Sequence, residues 1–305
     1  LLVILGVRYT RKISFLMSTA GKDYNSISPS AEYLVRLKAL TRIPFAREAA
    51  TLLISSMAPA AASADAPERK GLFKRLLHFE NRYWTADNLL RQTHPQRILE
   101  ISSGYSFRGL GWCFEQGVHF IDTDLPDLVA AKRPLIQPLI AGHPGTMQGR
   151  FELLPLNVMD TESFDAIINR FEEGPVSIVN EGLLVYLGDE EKRQLCDTIR
   201  QVLLRRGGYW ITGDIYIKHK QKEVTSGHPV WDAFRKQHKL EENMFDDYAA
   251  AQALFESCGL EVVKREGLAI NKLSCLDWPG VNKKDVIQLL ERKPPVRESW
   301  CLQVK

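Results

Sequence analysis

The sequence has no C-x-x-C pair, no apolar run near the roughly 20 residues of a membrane span, and no long stretch of one charge sign. Each absence removes a class of protein. The five cysteines (Cys113, Cys196, Cys258, Cys275 and Cys301) are odd in number and widely spaced, which argues against a disulfide framework and a zinc site and predicts a reducing, cytoplasmic setting. Forty basic residues against 37 acidic ones leave a net charge of +3, too little for the basic field that nucleic-acid binding needs. No membrane partner is expected either. Leu1 to Val7 is apolar, but Arg8, Arg11 and Lys12 follow it, the reverse of a secretory signal's order. Position 1 is not Met, so Met17 is the expected start and residues 1–16 read as a non-native or disordered extension.

What is present describes an ordinary globular chain. Its 305 residues, 45% hydrophobic and 25% charged, suffice for one main domain with a large core. Residues 17–96 read as a helical N-terminal cap. Ser28-Pro29 opens a helix to about Thr41, and the alanine-rich stretch 58–67 reads as a linker or exposed loop. A long amphipathic helix then carries Leu72, Leu76, Phe79, Tyr83, Ala86 and Leu90 on one face. Arg82 borders that stripe, where an arginine ordinarily keeps its head in solvent.

From Arg97 on, strands and helices alternate. Strands are expected near 97–101, 118–122, 151–155, 175–180, 208–215 and 260–266, with a seventh at Trp300–Val304. The seventh should run antiparallel because Pro294-Pro295 leaves no helix immediately before it. Helices are expected from Asp189 to Arg206 and from Asp246-Asp247 to Gly259. The fold class predicted is α/β, a doubly wound, mostly parallel seven-stranded sheet with a helical N-terminal cap. Residues 216–245 form an insertion read as a substrate cover over the carboxyl ends of the strands.

The chain is organised around Arg97-Ile98-Leu99-Glu100-Ile101-Ser102-Ser103-Gly104-Tyr105-Ser106, a buried strand running into a turn of small residues and then a helix. Such turns bring backbone N–H groups against a nucleotide-like ligand. Ser102 and Ser103 stand where glycine-rich loops carry glycine, leaving Gly104 as the main residue free for positive φ. About 20 residues later, Phe120-Ile121-Asp122-Thr123-Asp124-Leu125-Pro126 ends a strand in carboxylates, where doubly wound folds hold a ribose. The next two strands end at Asn157 with Asp160 and at Glu181. Four loops thus offer polar groups to one ligand.

These motifs, Glu-Ile-Ser-Ser-Gly-Tyr-Ser at 100–106, Asp-Thr-Asp-Leu-Pro at 122–126 with Lys132 after it, and Asn-Glu-Gly-Leu-Leu-Val-Tyr-Leu at 180–187, carry a resemblance. The chain resembles the class I S-adenosylmethionine (SAM) methyltransferases, and within them the leucine carboxyl methyltransferase group with its polyketide-type O-methyltransferases. The resemblance covers Glu80 to Asp214 best. It implies SAM as cofactor, with Arg82 on the methionine carboxylate, Ser102 and Gly104 against the methionine and sugar, Asp124 on the ribose hydroxyls, Asn157 and Val158 bordering the adenine, and Glu181 facing the amino group. Ser102 in place of glycine and Asn157 in place of aspartate depart from the pattern. A lysine used by members that methylate protein carboxylates has no clear counterpart around Ser26 to Ser30, which argues for a small-molecule acceptor, a carboxylic acid or a phenol. A homodimer is compatible with the sequence.

Tyr186, Tyr216, His219 and His228 are acceptor-side candidates, each with a packing or surface role as its ordinary reading, and none is assigned as a base. A nicotinamide-dependent oxidoreductase would need G-x-G-x-x-G, and the chain has Phe107 at the last position. Arg108 at the fifth position of Gly104-Tyr105-Ser106-Phe107-Arg108 excludes the nucleophile turn of a hydrolase. A non-catalytic scaffold on the same fold is the third reading.

Overall fold

The computed structural model describes residues 28–53, 66–218, 236–292 and 295–305. The proposed extension, residues 58–65 of the alanine-rich stretch, His219 and His228 lie outside them. Among the described residues, three helices precede the sheet: α1 (Ser28–Lys38), α2 (Ala46–Leu53) and α3 (Ala66–Gln92). Helix α1 stops at Lys38, three residues short of the expected end, and residues 39–42 continue as turns. Ala66 and Pro67, read from the sequence as linker, are the first residues of α3.

The α/β part follows as β1 (Arg97–Glu100), α4 (Arg108–Glu115), β2 (His119–Asp124), α5 (Pro126–Gly142), β3 (Arg150–Pro155), α6 (Thr161–Ile168), β4 (Val176–Asn180), α7 (Asp189–Arg206), β5 (Gly208–Tyr216), α8 (Tyr248–Ser257), β6 (Leu260–Glu266), α9 (Lys283–Arg292) and β7 (Arg297–Val304). The strands form one sheet in the order β3-β2-β1-β4-β5-β7-β6, with β7 antiparallel to both neighbours and the rest parallel. The antiparallel direction of β7 agrees with the sequence reading, but the reason given for it does not. Helix α9 ends at Arg292, shortly before β7 begins, and β7 runs back from it to insert between β5 and β6.

Successive strand residues point to opposite faces, and the core divides accordingly. Leu99, Ile121, Ile178 and Trp210 pack with Phe164, Leu195, Ile199 and Phe255 of α6, α7 and α8. Their neighbours Ile98, Phe120, Val179 and Ile211 pack on the other face with Ala86, Leu89 and Leu90 of α3 and Trp112 of α4. Being buried on both faces is why the central strands read as continuous apolar runs. The order reverses at β1, between β2 and β4, so a crevice opens above the carboxyl ends of these strands.

Candidate functional site

Above that crevice is a cavity enclosing about 1450 Å³ with its open mouth included, and Arg82, Ser102, Gly104, Asp124, Asn157, Val158 and Glu181 all line it. Residues from α3 and from the loops after β1, β2, β3 and β4 therefore converge on one space.

The β1 loop is fastened from beneath. Lys132 of α5 is fully buried, with Nζ 2.6 Å from Asp122 Oδ2 and 3.0 Å from Ser103 Oγ, and Ser103 donates to Asp122 Oδ1. This pair explains Lys132 in the sequence motif: it ties helix α5, strand β2 and the loop together. Gly104 N–H donates to Asp124 Oδ2 at 2.6 Å and Leu125 N–H to Oδ1 at 2.7 Å. Burial pushes Asp124 up, and these two amides oppose the shift. Each of its oxygens keeps a lone pair for a ligand. The turn itself differs from the sequence reading in one respect: Ser102 (φ 51°) as well as Gly104 (φ 56°) is left-handed, so a serine takes a conformation that glycine adopts without steric cost.

Glu181 sits among cations. Arg82 Nε is 3.2 Å and Lys38 Nζ 3.6 Å from Oε2, and Arg108 donates to Oε1. Burial would raise this carboxylate, but Lys38, Arg108, Arg82 and Arg297 together outweigh it and hold it at about 2. Arg82 is thus buried and paired instead of solvated. Lys38, at the end of α1, and Arg108 were not singled out by the sequence. Arg108 stacks on the Tyr83 ring, 4.4 Å from its centroid, with Nε 3.6 Å from Glu100 Oε1. Glu100, also on the cavity wall, has Oε2 without a hydrogen-bond partner. Burial raises it to about 7, against the pull of Arg108.

The turn after β4 is held by Asp214 of β5, a residue the sequence reading did not weigh. Its carboxylate accepts from the N–H groups of Gly182 (2.6 Å), Leu183 (2.7 Å) and Leu184 (3.2 Å) and from Asn180 Nδ2 (2.8 Å). Gly182 is left-handed at φ 75°, and a Cβ there would stand 3.2 Å from Arg82 Nη1. Asn157 is exposed at the rim, its Oδ1 accepting from Met159 N–H at 3.1 Å, and Val158 is buried. Asp160 takes no part: it caps α6 by accepting from Ser163 N–H at 3.2 Å. Tyr186 and Tyr216 line the cavity with His78, Leu240 and Met244, the last two from the described part of the insertion.

Among the described residues, no cluster of three His, Cys, Asp or Glu side chains could hold a metal, and no helix is long and apolar enough to cross a membrane.

The sheet order and the reversed β7 define the class I methyltransferase fold, the class that the sequence motifs resemble. The chain is similar to leucine carboxyl methyltransferase 1 of Kluyveromyces lactis, 25% identical over 150 residues that span 43% of this chain and 44% of that protein. The match therefore covers less than half of that relative's length. No family model matches the chain. Among solved structures, a DUF574 family protein from Streptomyces avermitilis superposes with a TM-score of 0.52 at 14% identity, covering 92% of this chain and 99% of that one. Magnesium protoporphyrin IX methyltransferase (ChlM) from Synechocystis PCC 6803, solved with bound SAH, gives a TM-score of 0.45 at 7% identity over 90% of this chain and all of that one.

Proposed function

We propose that this chain is a SAM-dependent O-methyltransferase that transfers a methyl group in line to a carboxylate or hydroxyl oxygen of a small molecule. One observation carries the reading: seven residues chosen from motifs spread over a hundred positions line a single cavity at the point where the strand order reverses. The residues suit the cofactor part by part. Arg82 and Lys38 can take a carboxylate, Arg82 through its planar fork. Glu181 and the unpartnered oxygen of Glu100 can accept from an ammonium. Asp124 can accept from a diol, and the backbone and apolar side chains near Val158 can border a flat base.

Bound SAM supplies a methyl group already activated on a sulfonium. The chain's work is then to hold an oxygen in line behind it at near-attack distance and to exclude water. Positioning dominates.

Calorimetric titration with SAM and, separately, NAD tests the assignment, repeated on Asp124→Ala and Glu181→Ala. Micromolar SAM binding lost in both variants is the expected result. Binding of NAD in its place would return the pocket to the oxidoreductase class, and binding of neither would favour a scaffold.

A further inference from the structure

Beside Arg82, which the donor reading uses, the cavity wall carries a polar pair that the donor reading leaves unassigned, His78 and Tyr216. His78 and Arg82 are four residues apart on α3 and so share a face, and between them they grip the phenol of Tyr216 at the end of β5. Arg82 Nη1 lies 3.2 Å and His78 Nε2 3.0 Å from the Tyr216 hydroxyl oxygen. The Tyr216 ring is buried, His78 is half-buried with its ring edge-on to Phe79, and both polar rings line the cavity.

One arrangement of hydrogens makes the phenol a relay. A guanidinium only donates, so the Tyr216 oxygen accepts from Arg82. When its single hydrogen points at His78 Nε2, the imidazole is neutral with its own proton on Nδ1. What remains at the phenol oxygen is a lone pair. A carboxylate has no hydrogen to give it, whereas a hydroxyl does. The cavity wall around the pair, including Leu34, Phe79, Val185, Leu240 and Met244, is apolar.

We propose that the acceptor is an apolar molecule bearing a phenolic or enolic hydroxyl, which donates to Tyr216 Oη, and that His78 Nε2 receives the displaced proton through Tyr216. This rests on the methyl-donor reading above and narrows it. In the step, the acceptor oxygen forms its bond to the methyl carbon as the carbon–sulfur bond breaks and its electron pair stays on sulfur. The acceptor proton passes to Tyr216 Oη while the tyrosine's proton passes to His78 Nε2, leaving an imidazolium and an intact phenol. Tyr216 stays protonated otherwise, since burial raises it, opposed by Arg82 and Arg297. The charged groups around the pair are Arg82, with Lys74 and Arg75 one turn earlier on α3, Asp214 on β5, Arg297 on β7, and Lys38 and Glu181 across the cavity.

The test uses the full chain loaded with SAH and two probes of one shape, 2-naphthol and 2-naphthoate. The naphthol should bind about tenfold tighter than the naphthoate, a preference worth one hydrogen bond, and Tyr216→Phe should erase it. With SAM, His78→Gln should lower kcat for the naphthol about 100-fold with little change in KM and remove the limb that rises through the histidine range. Nitrogen NMR of the unaltered chain, which needs no variant to fold, should show the Nδ1–H tautomer at His78. A preference for the naphthoate, binding of neither probe while SAH binds, an Nε2–H tautomer, or a pH limb kept in His78→Gln overturns this proposal alone. Failure to bind SAH overturns the donor reading and this proposal with it.

Discussion

Ser102 is one of four non-glycine residues that lie in the left-handed region among the described ones, and of the four it lines the cavity. A non-glycine residue in the left-handed region costs roughly 1–2 kcal/mol, while glycine in its place costs roughly 0.5–1 kcal/mol of added chain entropy. Ser102→Gly should therefore raise the unfolding free energy by about 0.5–1 kcal/mol, read as a higher urea midpoint at constant m. A lower midpoint would mean that the serine hydroxyl contributes more than the strain removes. Glu100 and Glu181 make opposite pH predictions. Glu181 is held at about 2, below its ordinary 4.5, so it stabilises the fold above pH 4.5 and that contribution is lost as pH falls toward 2. Glu100 is raised from 4.5 to about 7, so the native state binds its proton more tightly than the unfolded chain does. Its effect is to lower stability as pH rises from 4.5 through 7, by on the order of 3 kcal/mol at most. In Glu100→Gln the fall between pH 5 and 8 should flatten, which denaturation at matched pH values checks.

Elements were legible where local chemistry decided them and illegible where docking did. The strands predicted from apolar runs lie within three residues of those observed, because β1 and β4 are buried on both faces and leave a continuous signal. Gly104, Asp124 and Glu181 could be named because each stands at the carboxyl end of such a strand or in the loop just after it. Lys38, Arg108, His78 and Asp214 could not: a lysine at a helix end or an arginine at a helix start looks solvated until another element covers it. Helix α5 shows the converse, since Pro134 and Pro138 lie inside it, where local rules would end a helix. Its burial of Leu128, Val129, Leu135 and Leu139, together with the Lys132–Asp122 pair, outweighs the lost backbone bonds. That pair makes the element-scale prediction. Lys132→Met leaves Asp122 charged and unpaired in the core, and should cost about 3–5 kcal/mol. Adding Asp122→Asn should restore much of the loss, because the remaining amide carries no charge and can still bond Ser103. Urea denaturation of the two single variants and the double variant measures the coupling.

At the scale of the molecule, the cavity joins two parts of the chain that the sheet alone does not connect. The loops after β1 to β4 supply Ser102, Gly104, Asp124, Asn157, Val158 and Glu181, while the N-terminal helices supply Lys38 and Arg82. Three cations meet on Glu181; Arg108 is shared with Glu100 and Asp87, whereas Glu181 is the ion-pair partner of Lys38, which burial lowers even beside it. An anionic group entering the cavity would give Lys38 and Arg82 a second partner and tie the end of α1 to the loops above the sheet. On the proposed function, SAH at one hundred times its Kd should stabilise the chain by about 2.7 kcal/mol, roughly 4 °C in Tm for a chain of this length. Lys38→Met removes one charge-assisted contact, which weakens binding about tenfold if the contact is worth about 1.4 kcal/mol. At the same SAH concentration the stabilisation should then fall to about half. The ligand-free Tm should change little, because Glu181 keeps Arg82 and Arg108. A ligand-induced shift that is undiminished in Lys38→Met would mean that α1 packs beside the cavity without taking part in binding, and that Arg82 alone links the helical segment to the ligand.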